Sequence, residues 1–358
     1  MVSANAFPVM GGTETHIYEV APRIAAAGFD VTILTTDLTG SLPRRDEMRG
    51  VPVQRVRAWP TDRDYYWAPG VYRTIRRERW DLVHCQGYHT LVPPVAMAAC
   101  LRSGTPYVLT FHSGGHDSAL RQRLRGPQHL VLRPLLARAR KLIAVSHFEV
   151  EHFSREMHVP RERFVMLRNG AAMAAPADPV PINDARPLIL SVGRLERYKG
   201  HHLVIDALPY VLRALPGARL RIVGVGPFEG SLRARAAASP VSERIEIGSV
   251  DPLDRQGMAR TLAGASAVAL LSEYEANPVA VMEALALGRR VLVADTSGMS
   301  ELARDALAAA VPIDATPEQI GRALVDLIGS PEPPALRLPT WDECAARLAD
   351  VYREALAA

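Results

Sequence analysis

The chain has 358 residues, of which 48% are hydrophobic and 22% are charged. This composition excludes a largely disordered chain and can form a sizeable core, and the length favours about two domains. The net charge of +4 comes from scattered arginines. An excess of this size suits a phosphate-bearing ligand or an anionic membrane, but codon bias explains it more simply, and we expect no nucleic acid partner.

Cysteine usage and hydropathy indicate a cytoplasmic protein. The three cysteines, Cys85, Cys100 and Cys344, are odd in number and lack paired spacing, so they predict neither a disulfide framework nor a four-cysteine zinc site. No segment reaches the roughly 18 apolar residues of a membrane span, and the start of the chain lacks the pattern of a secretion signal. We therefore expect a cytoplasmic, non-spanning protein.

Predicted strands and helices alternate through residues 1–172. The strands are Val31–Thr36, Val51–Val56, Leu82–His84, Tyr107–His112, Leu142–Val145 and Phe164–Leu167. The helices are Glu14–Ala27, Val71–Arg79, Leu91–Leu101 and Ser146–Met157, the last with a capping-box pattern formed by Ser146 and Glu149. This alternation predicts a parallel sheet covered by helices, with ligands bound at the carboxyl ends of its strands.

A proline-rich segment, 173–187, is predicted to link this domain to a second one, 188–335. The strands of the second domain are Leu188–Val192, Leu220–Val223, Ile245–Ile247, Ala267–Leu271 and Arg290–Val293. Further prolines precede a last helical segment, 336–358, in which Thr340 and Glu343 form a second capping-box pattern. The fold class predicted for both domains is α/β, each with a doubly wound sheet.

The segment 272–288, SEYEANPVAVMEALALG, contains the strongest local signals. Asn277 is a good N-cap, Pro278 suits a first helical turn, and Gly288 is a natural stop, so a helix is predicted over 278–287. Because a buried strand precedes this helix, the free N–H groups of Val279 and Ala280 should lie at the carboxyl edge of the sheet. A diphosphate can be bound there.

Two glutamates flank and enter this helix. Glu275 lies before it and Glu283 within it, so the two carboxylates do not share one helical face. One would face a sugar and the other the ribose hydroxyls. In a purely structural interpretation, Glu275 complements the helix dipole and Glu283 is solvated.

Glu275 and Glu283, with seven residues between them, resemble the E-x7-E motif of retaining GT-B glycosyltransferases of family GT4. The resemblance covers nearly the whole chain. It implies two Rossmann-like domains facing each other across a cleft, the first binding the acceptor and the second the nucleotide sugar. The last helix, 336–358, would cross back to the N-terminal domain.

Other segments are similar to the family's loops, in the expected order. They are Gly11–His16, Val192–Leu195 with Lys199–Gly200, Gly224–Pro227 and Ser297–Gly298 with Glu301. The resemblance implies that Gly11 and Gly12 approach the donor phosphates and that Arg194 and Lys199 neutralise the leaving diphosphate. The remaining candidates for donor binding are Gly193, Gly224, Gly226, Asn277, Pro278, Val279 and Glu283.

His112 ends a predicted strand and opens a Ser-Gly-Gly loop, so its imidazole should lie in the cleft. In the family, the matching histidine contacts the donor sugar. A zinc site shared with His84, His89 and His116 lacks the compact spacing of metal ligands. Since the family releases its leaving group without metal, we expect no metal and no cofactor.

Two segments depart from the family's pattern. The usual first strand is reduced to a stub at residues 1–5, or its start is misassigned, which puts the stability of a sheet edge in doubt. Ala171 and Ala172 follow Asn169-Gly170 where many members carry a Val/Ile-Asp pair, so a carboxylate is missing and acceptor preference would differ.

The resemblance predicts a metal-independent, retaining hexosyl or N-acetylhexosaminyl transferase. It would use a nucleotide diphosphate sugar, UDP-linked as is commonest in the family, and a small-molecule or lipid-linked hydroxyl acceptor. His112 and Glu275 would position the sugar for same-face attack. Three alternatives stay open: a catalytically silent nucleotide-sugar-binding scaffold, a UDP-sugar 2-epimerase of the same fold, and a peripheral membrane enzyme whose basic, leucine-rich segment 120–140 contacts lipid.

Overall fold

The computed structural model describes residues 1–9, 11–61, 66–113, 119–178, 180–183, 185–251, 253–331 and 337–357, with the backbone alone at 119–125 and 127. The described residues form two compact units. Unit 1 lies within 1–113, 119–170 and 339–358, and unit 2 within 171–338. Each unit is an α/β structure, which confirms the predicted fold class.

The elements alternate along the chain. The strands are β1 (Ile33–Asp37), β2 (Arg45–Met48), β3 (Val51–Arg57), β4 (Val83–Gln86), β5 (Tyr107–Thr110), β6 (Lys141–Ala144), β7 (Phe164–Met166), β8 (Leu188–Val192), β9 (Arg219–Val223), β10 (Ile245–Gly248), β11 (Ala267–Leu270), β12 (Arg290–Ala294) and β13 (Ala309–Val311). The α-helices are α1 (Gly12–Ala26), α2 (Pro69–Arg77), α3 (Val92–Ser103), α4 (Ala119–Leu136), α5 (His147–Glu156), α6 (His201–Ala214), α7 (Glu229–Ala238), α8 (Arg255–Ala263), α9 (Val279–Ala286), α10 (Met299–Arg304), α11 (Pro317–Gly329) and α12 (Trp341–Ala357).

The strands of unit 1 run β2-β3-β1 on one side and β4-β5-β6-β7 on the other. Val2 lies between β1 and β4, with its N–H donating to the His84 carbonyl at 2.7 Å and its carbonyl accepting from the Gln86 N–H at 2.8 Å. It also bridges Leu34 of β1. The predicted stub therefore joins the two halves at the centre, and the expectation that it affects a sheet edge was wrong.

The core of unit 1 includes the last helix of the chain. Helix α12 packs on α1, and the Trp341 side chain at its start is 1% exposed. A Cβ atom at Gly170 would come within 2.4 Å of the Trp341 backbone nitrogen. The close approach of the two backbones therefore requires glycine at position 170. This contact joins α12 to a segment far away in sequence.

In unit 2 every strand pair is parallel, and the order is β10-β9-β8-β11-β12-β13. The chain runs outward from β8 to β10, then returns to place β11 beside β8. This reversal creates a topological switch point between β8 and β11. Ligands of open α/β sheets bind outside the carboxyl ends of the strands at such a point.

Most predicted strands appear with ends shifted by one or two residues, but the sequence analysis missed β2 and β13. Strand β2, with sequence RDEM, has a mostly exposed, charged surface and pairs antiparallel with β3. Strand β13 has only the residues AAV. Neither segment has the apolar run that the other strands have, so hydrophobic pattern alone does not detect them.

Two predicted helix starts can be checked against hydrogen bonds. The Thr340 N–H donates to the Glu343 carboxylate at 2.9 Å and the Glu343 N–H to Thr340 Oγ1 at 3.1 Å, which confirms that capping box. Ser146 also caps its helix, accepting from the Glu149 N–H at 3.2 Å. The Glu149 carboxylate, however, accepts from the Val145 N–H at 2.8 Å and the Ser113 N–H at 2.7 Å. It ties the end of β6 to the residue after His112.

Helix α9 begins one residue later than predicted. Its N-cap is Pro278, with φ −71° and ψ 115°, so the prediction that Asn277 caps the helix was wrong. An extended ψ at Pro278 leaves Asn277 outside the helix. The predicted stop is confirmed: Gly288 has φ +69°, and the N–H groups of Gly288 and Arg289 donate to Leu285 and Ala284 in a Schellman arrangement.

Helix α4 carries the segment considered for membrane contact. Leu132 and Leu136 are buried, whereas the side chains of Leu130 and Val131 are 72% and 68% exposed. Among the residues described, no helix is long and apolar enough to cross a membrane.

Candidate active site

The switch point of unit 2 brings Lys199 and Glu275 together. Lys199 follows β8 and Glu275 follows β11, and the Lys199 ammonium forms an ion pair with Glu275 Oε1. Both side chains are largely buried, and Ser272 Oγ donates to the same carboxylate oxygen at 3.1 Å. The pair therefore places one cation and one carboxylate where the topology predicts a ligand.

The close approach of these two loops depends on a glycine. Gly200 adopts φ +73°, and a Cβ atom there would lie 2.1 Å from the Leu271 carbonyl oxygen. No larger residue fits without moving Lys199 away from β11.

The backbone of Glu275 is held by the loop after β12. Its N–H donates to Ser297 Oγ at 2.9 Å, and its carbonyl accepts from the Gly298 N–H at 2.8 Å. The loop that resembles the family's Ser297–Gly298 segment thus fixes the position of a motif glutamate.

Glu283 is buried inside α9 and forms an ion pair with Arg255 at the start of α8. The alternative in which Glu283 is solvated was wrong. Glu275 and Glu283 have different cationic partners, so a ligand meets each carboxylate in a different charged environment.

Arg194 is less constrained than Lys199. Its side chain is 61% exposed and lies 2.6 Å from the Glu196 carboxylate. The backbone is held more firmly, because His201 Nε2 donates to the Arg194 carbonyl at 3.2 Å and His201 Nδ1 lies 2.8 Å from Ser191 Oγ. Burial lowers the pKa of His201 to about 4. This neutral imidazole supports the loop without adding charge.

Gly193, Gly224 and Gly226 have a packing function in the described structure. The Gly193 N–H donates to the Val223 carbonyl at 3.0 Å. Cβ atoms at Gly224 and Gly226 would lie 1.9 Å and 2.5 Å from the carbonyl oxygens of Gly193 and Leu195. These glycines let the loop after β9 close against the loop that carries Arg194, and their contact with a donor stays a prediction.

The N-terminal ends of α9 and α1 hold other predicted donor-binding residues. Val281 and Met282 donate to the Pro278 carbonyl, so the N–H groups of Val279 and Ala280 precede the first bonds within α9. In unit 1, Gly11 is the N-cap of α1 and Gly12 its first residue. Both helices thus have the electropositive ends that favour anions.

In unit 1, His112 lies two residues beyond β5 with φ +45°, a left-handed conformation that is uncommon for a residue with a side chain. Its Nε2 is 2.7 Å from Gln86 Oε1, and its ring packs edge-on against His16 with the centroids 4.6 Å apart. His16 Nδ1 lies 2.9 Å from Asn169 Oδ1. A cluster of imidazoles and amides therefore surrounds His112.

Burial keeps these imidazoles neutral. It lowers the pKa of His16 to about 4, although the hydrogen bond to Asn169 opposes the shift. Burial also lowers the pKa values of His84 and His112 well below the usual value, and the neighbouring histidines lower them further. The polar cluster of unit 1 thus acts through hydrogen bonds rather than through charge.

Several residues of these sites were not predicted from sequence: Gln86, His201 and Arg255. Gln86 ends a buried strand at a carboxyl edge, which is a usable signal. A second signal is composition, since the chain has only two lysines, Lys141 and Lys199, among its 42 basic residues. Because an ammonium is a compact point charge that a guanidinium does not replace, a rare lysine in a loop after a buried strand is a candidate site residue.

His116, one of the histidines considered for zinc, lies outside the described residues. The histidine, cysteine and acidic side chains that are described form no group of three or more able to hold a metal ion.

Two family models match the chain. Glycosyltransferase Family 4 matches residues 10–174, and Glycosyl transferases group 1 matches residues 177–336. The D-inositol 3-phosphate glycosyltransferase of Thermobispora bispora is 25% identical over 97% of this chain and 90% of that protein.

Solved structures share the fold. Sucrose-phosphate synthase from Thermosynechococcus elongatus superposes with a TM-score of 0.75 at 18% identity, covering 99% of this chain and 98% of that one. HepE from Anabaena in complex with UDP-glucose gives a TM-score of 0.69 at 17% identity, covering 98% and 93%. The chain therefore belongs to the GT4 glycosyltransferases, the glycosyl transferases group 1, and has their GT-B fold of two Rossmann-like domains.

Proposed function

We propose that this glycosyltransferase moves a sugar from a UDP-linked donor to a hydroxyl acceptor, with retention of anomeric configuration and without a bound metal. The observation that carries the proposal is the Lys199–Glu275 pair at the switch point of unit 2. A diphosphate needs positive charge and a sugar needs hydrogen-bond acceptors, and this pair supplies both at one place.

Each charge of the donor has a candidate partner. Lys199, Arg194 and the N-terminal N–H groups of α9 stabilise the negative charge that grows on the leaving diphosphate. Glu283 accepts hydrogen bonds from the ribose hydroxyls. Glu275 and His112 position the sugar, and the leaving phosphate oxygen accepts the acceptor's proton. UDP is preferred because HepE, which shares the fold, binds UDP-glucose.

The first experiment is a calorimetric and thermal-shift panel of UDP, GDP, ADP and TDP, with and without EDTA. Ligand binding to the native state raises its stability in proportion to occupancy, so the preferred nucleotide should produce the largest shift. We expect UDP to bind and EDTA to leave its affinity unchanged. Binding of another base, or loss of binding in EDTA, would overturn the corresponding part of the proposal.

A transfer assay with the matching nucleotide sugars follows, with the anomeric configuration of the product read by NMR. An inverted product would exclude retention. Donor binding without turnover on any acceptor would favour a silent scaffold, and release of a 2-epimerised sugar would favour the epimerase. Activity that survives both Arg194→Ala and Glu275→Ala would contradict the assigned roles.

A lipid-linked acceptor is a second candidate, favoured by one surface. On α4, Leu130 and Val131 are exposed, and exposed Arg133, Arg138 and Arg140 lie on and just after the same helix. Apolar side chains next to cations favour an anionic bilayer surface. The protein should float with vesicles that contain phosphatidylserine. A double variant with Leu130→Ser and Val131→Ser should no longer float. Equal flotation of the double variant would exclude this surface.

A further inference from the structure

Gln86 connects His112 to the interior of unit 1. His112 Nε2 is 2.7 Å from Gln86 Oε1, and an amide oxygen can only accept. The proton of neutral His112 is therefore on Nε2, which leaves Nδ1 as an acceptor. His112 Nδ1 can therefore accept a hydrogen bond from a hydroxyl group of a sugar.

The orientation of the Gln86 amide is set by His84. Gln86 Nε2 lies 3.3 Å from His84 Nδ1 and 3.4 Å from His84 Nε2, so its N–H side faces that ring and its oxygen faces His112. His84 in turn has both nitrogens engaged: Nδ1 lies 2.6 Å from the Tyr352 hydroxyl and Nε2 lies 2.7 Å from Thr110 Oγ1. Tyr352 belongs to α12, 268 residues away from His84 in sequence.

Burial makes this chain of contacts rigid. Gln86, His84, Thr110 and Tyr352 are each at most 5% exposed. A buried polar group that loses its partner cannot turn to water instead, so rotating one member leaves others unsatisfied. The left-handed backbone of His112 restricts its ring from the other side.

We propose that Gln86 is a positioning residue that holds His112 as the Nε2–H tautomer, and that Tyr352 acts through His84 to hold Gln86. The proposal rests on the proposed function, in which His112 contacts the donor sugar. It gives the last helix of the chain a part in the chemistry, because α12 supplies the hydroxyl that orients the relay. The titratable groups that face His112 are His16, His84 and His89.

The test reads the tautomer directly by long-range ¹H–¹⁵N NMR of protein with ¹⁵N-labelled histidine. The chain has 11 histidines, and His112→Gln assigns the signal of interest. In the wild type we expect the Nε2–H form. Gln86→Leu should produce a mixture with the Nδ1–H form, whereas Gln86→Glu keeps an acceptor and should retain Nε2–H. In Gln86→Glu the titration of His112 should also move to higher pH, because a carboxylate replaces the amide.

Transfer kinetics form the second arm. Gln86→Leu should lower kcat by about 10- to 100-fold while the donor KM changes less than about threefold, since orientation rather than donor binding is lost. Gln86→Glu should restore most of kcat above the new His112 titration. Tyr352→Phe should lower kcat by a smaller factor. Its matched control is Tyr107→Phe, which removes another buried hydroxyl, one that donates to the Leu135 carbonyl.

The two arms separate the two hypotheses. A His112 that stays in the Nε2–H form in Gln86→Leu overturns the positioning proposal, whether or not the protein transfers sugar. A wild type that transfers no sugar overturns the proposed function, and the NMR comparison still decides whether Gln86 holds the tautomer. Equal losses of kcat in Tyr352→Phe and Tyr107→Phe would reduce the Tyr352 effect to general destabilisation and contradict its part in the relay.

Discussion

The two units build their polar sites from different groups. Unit 2 pairs full charges, Lys199 with Glu275 and Arg255 with Glu283. Unit 1 surrounds His112 with neutral imidazoles, amides and hydroxyls. An ion pair can exchange a partner for a charged ligand, whereas a buried neutral network fixes hydrogen-bond direction. The charged groups of unit 2 are thus suited to a charged ligand, and the neutral groups of unit 1 to the direction of hydrogen bonds.

The largest expected effect is on the charged site. Lys199→Ala should lower the transfer rate by about 10²- to 10³-fold, since a preorganised cation at the leaving group is lost. Lys141→Ala is the matched control, because Lys141 is the other lysine and lies at the surface, 2.9 Å from Glu354. Steady-state transfer assays check both. Comparable activity of Lys199→Ala and Lys141→Ala would mean that unit 2 does not use this charge.

The next prediction concerns the stability of unit 1. Trp341→Ala should lower its free energy of unfolding by about 3–5 kcal/mol, because a fully buried aromatic side chain leaves a cavity. The four tryptophans, Trp59, Trp67, Trp80 and Trp341, all belong to unit 1, so fluorescence during urea unfolding reports on this unit.

Trp341→Phe should recover most of this loss in stability. A loss below about 1 kcal/mol in Trp341→Ala would show that α12 contributes little to unit 1.

A third prediction separates the two motif glutamates. Glu275→Gln should bind free UDP severalfold more tightly, because the Lys199 ammonium no longer has to break an ion pair before it contacts the phosphates. Glu283→Gln should bind UDP about tenfold more weakly, because the ribose hydroxyls lose a charged acceptor. Calorimetry measures both. A change in the same direction for both variants would contradict the separate roles.

Another prediction concerns the pH dependence of the stability of unit 1. Burial lowers the pKa of His16 to about 4, so between pH 6.5 and about 4 the unfolded state binds more protons than the folded state. The stability of unit 1 is therefore complete above pH 6.5 and should fall as the pH decreases through this window. His84 and His112 add to the slope in the same direction.

His16→Gln should make this slope shallower, as measured by tryptophan-detected urea midpoints at pH 7, 6 and 5. The exposed His147→Gln serves as the control. An unchanged slope in His16→Gln would show that His16 does not contribute to the loss of stability in acid.

Helix α9 shows how far sequence reasoning reached. The helix and its glycine stop could be predicted because both depend on residues a few positions apart. The predicted N-cap, Asn277, was wrong by one residue, because the extended ψ of Pro278 makes Pro278 the N-cap. The burial of Glu283 was beyond that reasoning, since it depends on Arg255, 28 residues earlier. Strand β2 was missed for a related reason: its charged residues form a strand only because β3 offers an open edge.

By itself, the sequence determined the α/β class, most of the strands and helices, and the motif that identifies the family, because these depend on local periodicity, capping and short spacings. The tertiary structure decided the partners. Lys199 meets Glu275 across 76 residues, and His84 meets Tyr352 across 268, since strand order and the return of α12 bring them together. The partner of each of these groups follows from those contacts, because burial removes water as the alternative partner.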